Sequence, residues 1–297
     1  MYKIKLLLKG PLSFVSYNFF KCISFIEYFM FDLYLKFKGF KKPDNEEIEF
    51  VCKNITIIYK SFERQKMAKR LYKNIQKYYP DIQVIIVDDS KKPLKIKGNN
   101  LEVLQLPFNS GLSYGLNCAL EKVKTPYVLR LDDDELLTRK TMLGQQLNFL
   151  EEHEEIDLVG FCTLTAIRCK NPVKICNDYI KFTMELAPKP LKIPHLTKID
   201  ETHIVMGKVP NIILVQTDKL REVGWDNNIR MLDHNDFFWR AAGNIVTVLA
   251  LETVVFHYHN PFDKYYQKFR EDVMEDSKYI YLKNVIRINE CKKKEEN

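Results

Sequence analysis

The hydrophobic pattern changes character once along the chain, near residue 43. Before that point Val15, Phe19, Cys22, Ile23, Ile26, Phe29, Met30, Leu33 and Phe37 recur at helical spacing. Lys21, Ser24, Glu27, Asp32 and Lys36 fall elsewhere on the same wheel, which predicts one amphipathic, aromatic-rich helix. Lys41-Lys42-Pro43-Asp44-Asn45-Glu46-Glu47 is a polar break and reads as a linker. Beyond it, short apolar runs alternate with helical patterns. Residues 55–59, 84–87, 101–106 and 127–131 read as strands. Residues 63–79, with core positions Met67, Leu71, Ile75 and Tyr78, and residues 115–123 read as helices. Strands alternating with helices predict an α/β fold whose mainly parallel sheet is covered on both faces. Residues 170–205 hold Pro172, Pro188, Pro190 and Pro194 without a clear period, and read as a long excursion. Strand and helix character returns over 209–256, and 263–288 reads as helical. The resulting organisation is an N-terminal basic segment (1–47), a catalytic-type domain (48–262) and a C-terminal helical extension (263–297).

With 297 residues, 46% of them hydrophobic, the chain can bury one substantial core, which argues against a disordered protein. The formal charge of +7 is unevenly placed. Residues 1–42 carry eight lysines against Glu27 and Asp32, a net +6, so the rest is near neutral. A basic patch confined to an appendage points away from nucleic acid and toward an anionic membrane surface. The predicted helix, whose apolar face runs from Val15 to Phe37 within residues 10–38, suits either a membrane interface or packing on the domain or a second subunit. Charges at Lys21, Glu27 and Asp32 interrupt its apolar run, whereas a span needs about 20 mostly apolar residues. No secretory layout opens the chain. Its seven cysteines lack a CxxC pair, which fits reduced thiols and a cytoplasmic setting, peripheral on the inner membrane face.

Candidate chemistry gathers where strands end. Leu129-Arg130-Leu131 runs into Asp132-Asp133-Asp134-Glu135. Carboxylates crowded after an apolar strand call for a cation, and hard oxygen ligands favour Mn²⁺ or Mg²⁺. Ile86-Val87 likewise ends in Asp88-Asp89-Ser90, suited to a nucleoside. Asn109-Ser110-Gly111-Leu112-Ser113-Tyr114-Gly115-Leu116-Asn117 is a small-residue loop entering a helix, where backbone N–H groups can meet a diphosphate. Leu232-Asp233-His234-Asn235-Asp236-Phe237-Phe238 places a carboxylate among aromatics, and Val254-Val255-Phe256-His257 closes an apolar strand with a histidine. Each motif also has a plain structural reading as an acidic loop, a turn, a helix cap or a strand-end histidine.

Taken in order, these residues resemble a GT-A-fold glycosyltransferase of the broad family 2 type. Over roughly residues 52–262 the chain is most similar to the catalytic domain of β-1,4-N-acetylgalactosaminyltransferases. The likeness is carried by residues 55–90, by Thr125-Pro126-Tyr127-Val128-Leu129 with Asp132-Asp133-Asp134, by Asp157-Leu158-Val159-Gly160, by residues 211–224 and by His234-x-Asp236-Phe237-Phe238. The resemblance implies a UDP-sugar donor, GalNAc favoured, with UDP-GlcNAc and UDP-galactose open, and a glycan or glycolipid acceptor. It implies nucleotide-sugar contacts from Tyr59, Ser61, Arg64, Asp88 or Asp89, Gly111, Asn117, Asp132 and Asp133. It implies a metal held by Asp134 and His257 with help from Asp132, and Asp236 as the base of an inverting transfer. Asp236 stands where relatives carry Glu, and Leu116 where many carry Arg. Other expectations stay open beside this one: a different donor within a polysaccharide-synthesising complex, a silent glycan-binding protein, a nucleotidyltransferase, and a homo-oligomer.

Overall fold

In the computed structural model, which describes residues 13–165, 187, 189–258, 263–269 and 273–295, the apolar runs form strands whose alternate residues feed two cores. On β1 (Ile55–Ser61), Ile55, Ile57 and Tyr59 enter one core while Ile58 enters the other. β2 (Gln83–Asp88) divides in the same way, Val84 and Ile86 against Ile85 and Val87. A strand buried on both faces needs apolar residues at every position, which is why these runs are continuous rather than alternating.

The first core is roofed by α2 (Asn45–Asn54), α3 (Gln65–Tyr78) and α5 (Leu143–Glu152). The second lies under α4 (Leu112–Lys122), α6 (Thr217–Val223) and α7 (Asp233–Ala241). The remaining strands are β3 (Leu101–Gln105), β4 (Tyr127–Asp132), β5 (Glu135–Leu137), β6 (Leu158–Thr165), β7 (His203–Val205), β8 (Ile213–Gln216) and β9 (Thr247–His257). Sheet order is β3-β2-β1-β4-β8-β6-β9-β5, with β7 also on β9. The half containing β1 to β4 is parallel, as predicted. β8 then runs antiparallel to both β4 and β6, and β5 and β7 run antiparallel to β9. Of the predicted proline-rich excursion, residues 166–186 and 188 lie outside the described residues.

Gly160 sits where β6 passes beneath Val209. A Cβ there would come within 2.3 Å of Val209 Cγ2. Gly160→Ala is therefore expected to cost about 1–3 kcal/mol by overpacking. A denaturation midpoint equal to that of the parent protein would show that this contact can relax.

Two expectations change. The polar stretch 41–47 runs into a helix at its end: the Asp44 side chain accepts from Glu47 N at 2.9 Å and caps α2. Glu47 then accepts from Tyr79 Oη at 2.9 Å and Gly144 N at 3.3 Å, tying α2 to α3 and α5. The N-terminal helix α1 (Ser13–Phe37) also packs with the face that periodicity would have turned to water. Ser24 and Leu35 are buried, Tyr28 Oη donates to Leu137 O, and Asp32 pairs with Lys77 and Arg139. Phe19, Phe25, Ile26, Phe29, Met30 and Phe37 remain exposed. Tyr28 supplies the apolar contact with Phe256, so a polar-looking stripe holds the helix on the domain.

Candidate active site

Parallel strands β1, β2 and β4 end side by side, Ser61 in register with Asp88 and Lys60 with Asp132. Beyond these ends lies a cavity of about 370 Å³. One wall is the acidic turn between β4 and β5. β5 pairs with the end of β9, setting Glu135 opposite His257, and Tyr258 N donates to Asp134 O at 2.7 Å. His257 Nε2 thereby stands 3.5 Å from Asp134 Oδ1. Arg64, at the start of α3, approaches from the other side. Its Nη1 lies 3.0 Å from Asp134 Oδ2, and its Nη2 contacts Asp133 Oδ1.

The charges on this wall are strongly interdependent. Burial alone would raise Asp134, but Arg64 and His257 outweigh it and hold the carboxyl well below the usual range. Burial beside two further carboxylates pushes Asp133 up to about 7, against the pull of Arg64. His257 is half-buried, and desolvation opposes its charge, yet Asp134 raises it. Arg64, and His257 when protonated, thus place positive charge where a divalent cation would bind. Among the described residues no three His, Cys, Asp or Glu side chains form a complete metal cage. The donor set still fits a hard cation. Asp134 and His257 offer an oxygen and a nitrogen, the enclosed Asp133 Oδ2 has no hydrogen-bond partner, and diphosphate oxygens commonly complete such shells.

The opposite wall is the first turn of α7. Arg130, fully buried on β4, shares the strand face of Asp132, donates to its Oδ1 at 2.8 Å and to Asn211 O, and reaches within 4.0 Å of Asp233 Oδ2. That Asp233 oxygen has no hydrogen-bond partner. Burial raises Asp233 to about 6, Arg130 opposing and Asp132 adding to the rise. Next to it, burial drives His234 well below its ordinary value, so the neutral ring donates from Nε2 to Val209 O at 2.7 Å.

Lys60 lines the floor and is held by Asp89 at 2.5 Å. Asp89 Oδ2 also accepts from Gly111 N at 3.2 Å. Gly111 has φ +101°, and a Cβ there would meet Arg230 Cα at 3.3 Å, so only glycine suits the turn into α4. Phe62, Tyr266 and Phe269 form an aromatic rim, with Tyr266 stacked on Arg64. The loop before α7 is fixed by α9 (Met274–Glu295): Asp276 accepts from Arg230, Met231 and Leu232 N–H groups. α8 (Lys264–Lys268) carries Tyr266.

This geometry accompanies clear likenesses. Residues 55–196 match the family described as Glycosyl transferase family 2. The chain carries a family 2 glycosyltransferase domain. Mouse Beta-1,4 N-acetylgalactosaminyltransferase 2 is 32% identical over 203 residues, covering 68% of this chain and 39% of that protein. Human Beta-1,4 N-acetylgalactosaminyltransferase 1 is 31% identical over 216 residues, covering 68% and 38%. The chain thus spans about two-fifths of the length of these curated relatives. Staphylococcus aureus TarS in complex with UDP is 17% identical with a TM-score of 0.51, covering 68% of this chain and 60% of that one. The mannosyltransferase PcManGT from Pyrobaculum calidifontis, in complex with GDP-Man and Mn²⁺, is 15% identical with a TM-score of 0.50, covering 88% and 76%. These structures share the GT-A fold with the glycosyltransferase domain.

Of the sequence-predicted residues, the domain brings Arg64, Gly111, Asp132, Asp133, Asp134 and His257 to one cavity. Others stand outside its lining. Tyr59 is a core residue whose hydroxyl donates to Ala68 O at 3.0 Å, and Ser61 is fully buried beside it in β1. Asp88 accepts from Ser90 and Leu94 N and so shapes its own loop. Asn117 fastens α4 to Trp225 and Asn227. Asp89 acts on the cavity through Lys60. Asp236 is the main correction: buried, it is taken by Arg240 one turn on, at 2.7 Å, and by Lys283 of α9, also at 2.7 Å. Asp233 faces the cavity instead. Lys60, Arg130, Arg230 and Asp233 were not singled out from sequence. The available signal was a charge inside an apolar strand, at Lys60 and Arg130, where strand alternation aims it at the same face as a neighbouring carboxylate.

Proposed function

We propose that the protein is an inverting, metal-dependent glycosyltransferase moving a sugar, GalNAc or another N-acetylhexosamine favoured, from a UDP donor to a hydroxyl of a glycan or glycolipid acceptor. One observation carries the reading. A single cavity at the strand ends opposes an acidic, histidine-completed wall to a lone buried carboxylate with raised proton affinity. The first wall suits a diphosphate, the second an acceptor hydroxyl. The donor class is supported by the GalNAc-transferase relatives and by TarS structures holding UDP and UDP-GlcNAc.

Asp233 takes the acceptor hydroxyl proton, and the freed oxygen bonds to the anomeric carbon as the bond from that carbon to the diphosphate oxygen breaks. UDP departs with the electron pair. Asp134 and His257, joined by Asp132 or by the unpartnered oxygen of Asp133, would hold Mn²⁺ or Mg²⁺, which supplies Lewis-acid stabilisation of the leaving diphosphate. Lys60, Arg64 and Arg230 add fixed positive charge around that group, and Arg130 keeps Asp233 oriented. Calorimetric titration with UDP tests the donor side. Binding is expected to strengthen at least about tenfold when Mn²⁺ is added, since metal and diphosphate complete one shell. Failure to bind UDP with or without metal would overturn the donor assignment.

A further inference from the structure

A second cavity, of about 500 Å³, lies between α1 and α3 and shares Arg64 with the first. Tyr17 and Lys21 of α1 line one side; Lys66 and Arg70 of α3 line the other, near Tyr258 and Asp263. Its charged lining is Lys21, Arg64, Lys66 and Arg70 against Glu63 and Asp263, four positive and two negative. Arg64 is occupied by the acidic turn. Arg70 is engaged differently, by Tyr258, whose side chain it hydrogen-bonds. Its guanidinium stacks 3.5 Å over the Tyr258 ring, and its enclosed Nε and Nη2 have no hydrogen-bond partner. Those two nitrogens form one edge of the guanidinium, the fork that grips two oxygens of a phosphate.

The same helix that walls this cavity turns its aromatic side outward. Phe25 is 65% exposed and Phe37 83%. No helix among the described residues is long and apolar enough to cross a membrane. An exposed aromatic face on a segment of net charge +6 complements an anionic lipid surface, with the helix lying in its plane.

We infer that the α1–α3 cavity binds the phosphate group of a lipid-borne acceptor, presented by the membrane on which α1 lies. This rests on the transferase reading and narrows its acceptor to a phosphate-linked glycolipid. Arg70 grips the phosphate, Lys21 and Lys66 neutralise it, and the shared wall at Arg64 leads from phosphate to donor. The acceptor class then follows from position: lipid on the α1 side, sugar on the donor side.

The test uses the full chain and three vesicle types: phosphatidylcholine alone, with a polyprenyl diphosphate, and with phosphatidylglycerol at the same surface charge. The protein is expected to sediment with the diphosphate vesicles about tenfold more tightly than with the phosphatidylglycerol ones, and inorganic pyrophosphate should compete. Arg70→Ala should erase that preference. Arg70→Lys, which keeps charge and loses the fork, should erase most of it, with thermal unfolding confirming that each variant is folded. Lys21→Ala should weaken it less. Equal binding to both anionic vesicles would overturn the proposal, as would pyrophosphate binding without any vesicle preference, or a dimer that buries the α1 face and ignores vesicles. Donor hydrolysis by the parent protein is measured alongside. Its absence overturns the transferase reading, whereas hydrolysis without the lipid preference overturns only this inference.

Discussion

Asp233→Asn is expected to lower turnover by about 10²–10⁴-fold, the usual cost of losing a positioned general base, with little change in donor binding. The substitution keeps shape and removes the only function the cavity asks of that side chain, accepting a proton. Its pH signature is specific. Burial lifts the carboxyl to about 6, and the base works only when ionised, so activity should rise with pH through about 6 and level off above it. Asp236→Asn should behave differently. Asp236 is enclosed between Arg240 and Lys283, and breaking a buried pair typically costs about 3–5 kcal/mol, so the expected loss is in melting temperature, with turnover of the folded fraction largely kept. The reverse pattern, a stable but inactive Asp236→Asn beside an active Asp233→Asn, would return the catalytic role to Asp236.

His257→Ala is expected to reduce kcat/KM by roughly two to three orders of magnitude, since a leaving-group metal contributes several kcal/mol. The loss should be accompanied by a higher Mn²⁺ requirement, which a merely structural histidine would not produce. Asp134→Asn should give the same double effect more strongly, because Asp134 meets both His257 and Arg64. A His257→Ala protein with unchanged Mn²⁺ activation would remove the histidine from the metal site.

Much of the fold could be read from residue order. β1, β2 and β4 announce themselves as unbroken apolar runs, because strands buried on both faces have no position left for water. β5 does not. It has three residues, and its partner β9 lies more than a hundred positions away, so nothing local marks it. Yet this pairing is what brings His257 to Asp134. The orientation of α1 was also hidden. Periodicity defines an apolar face but not which side docks, and here docking runs through Tyr28, Asp32 and Ser24. In the site, the acidic turn was legible because like charges at a strand end need compensation. The choice between Asp233 and Asp236 was not. Both open the same helix, and only the tertiary capture of Asp236 by Lys283 from α9, far along the chain, separates them.

Release of UDP from a panel of UDP-sugars, followed with Mn²⁺ and again with EDTA, tests the central claim most directly. It requires no knowledge of the acceptor, because slow transfer to water reports the same bond cleavage. The account expects one N-acetylhexosamine donor to release UDP, metal-dependently, with the release lost in Asp134→Asn. Metal-independent release, or silence across the whole panel, would contradict it.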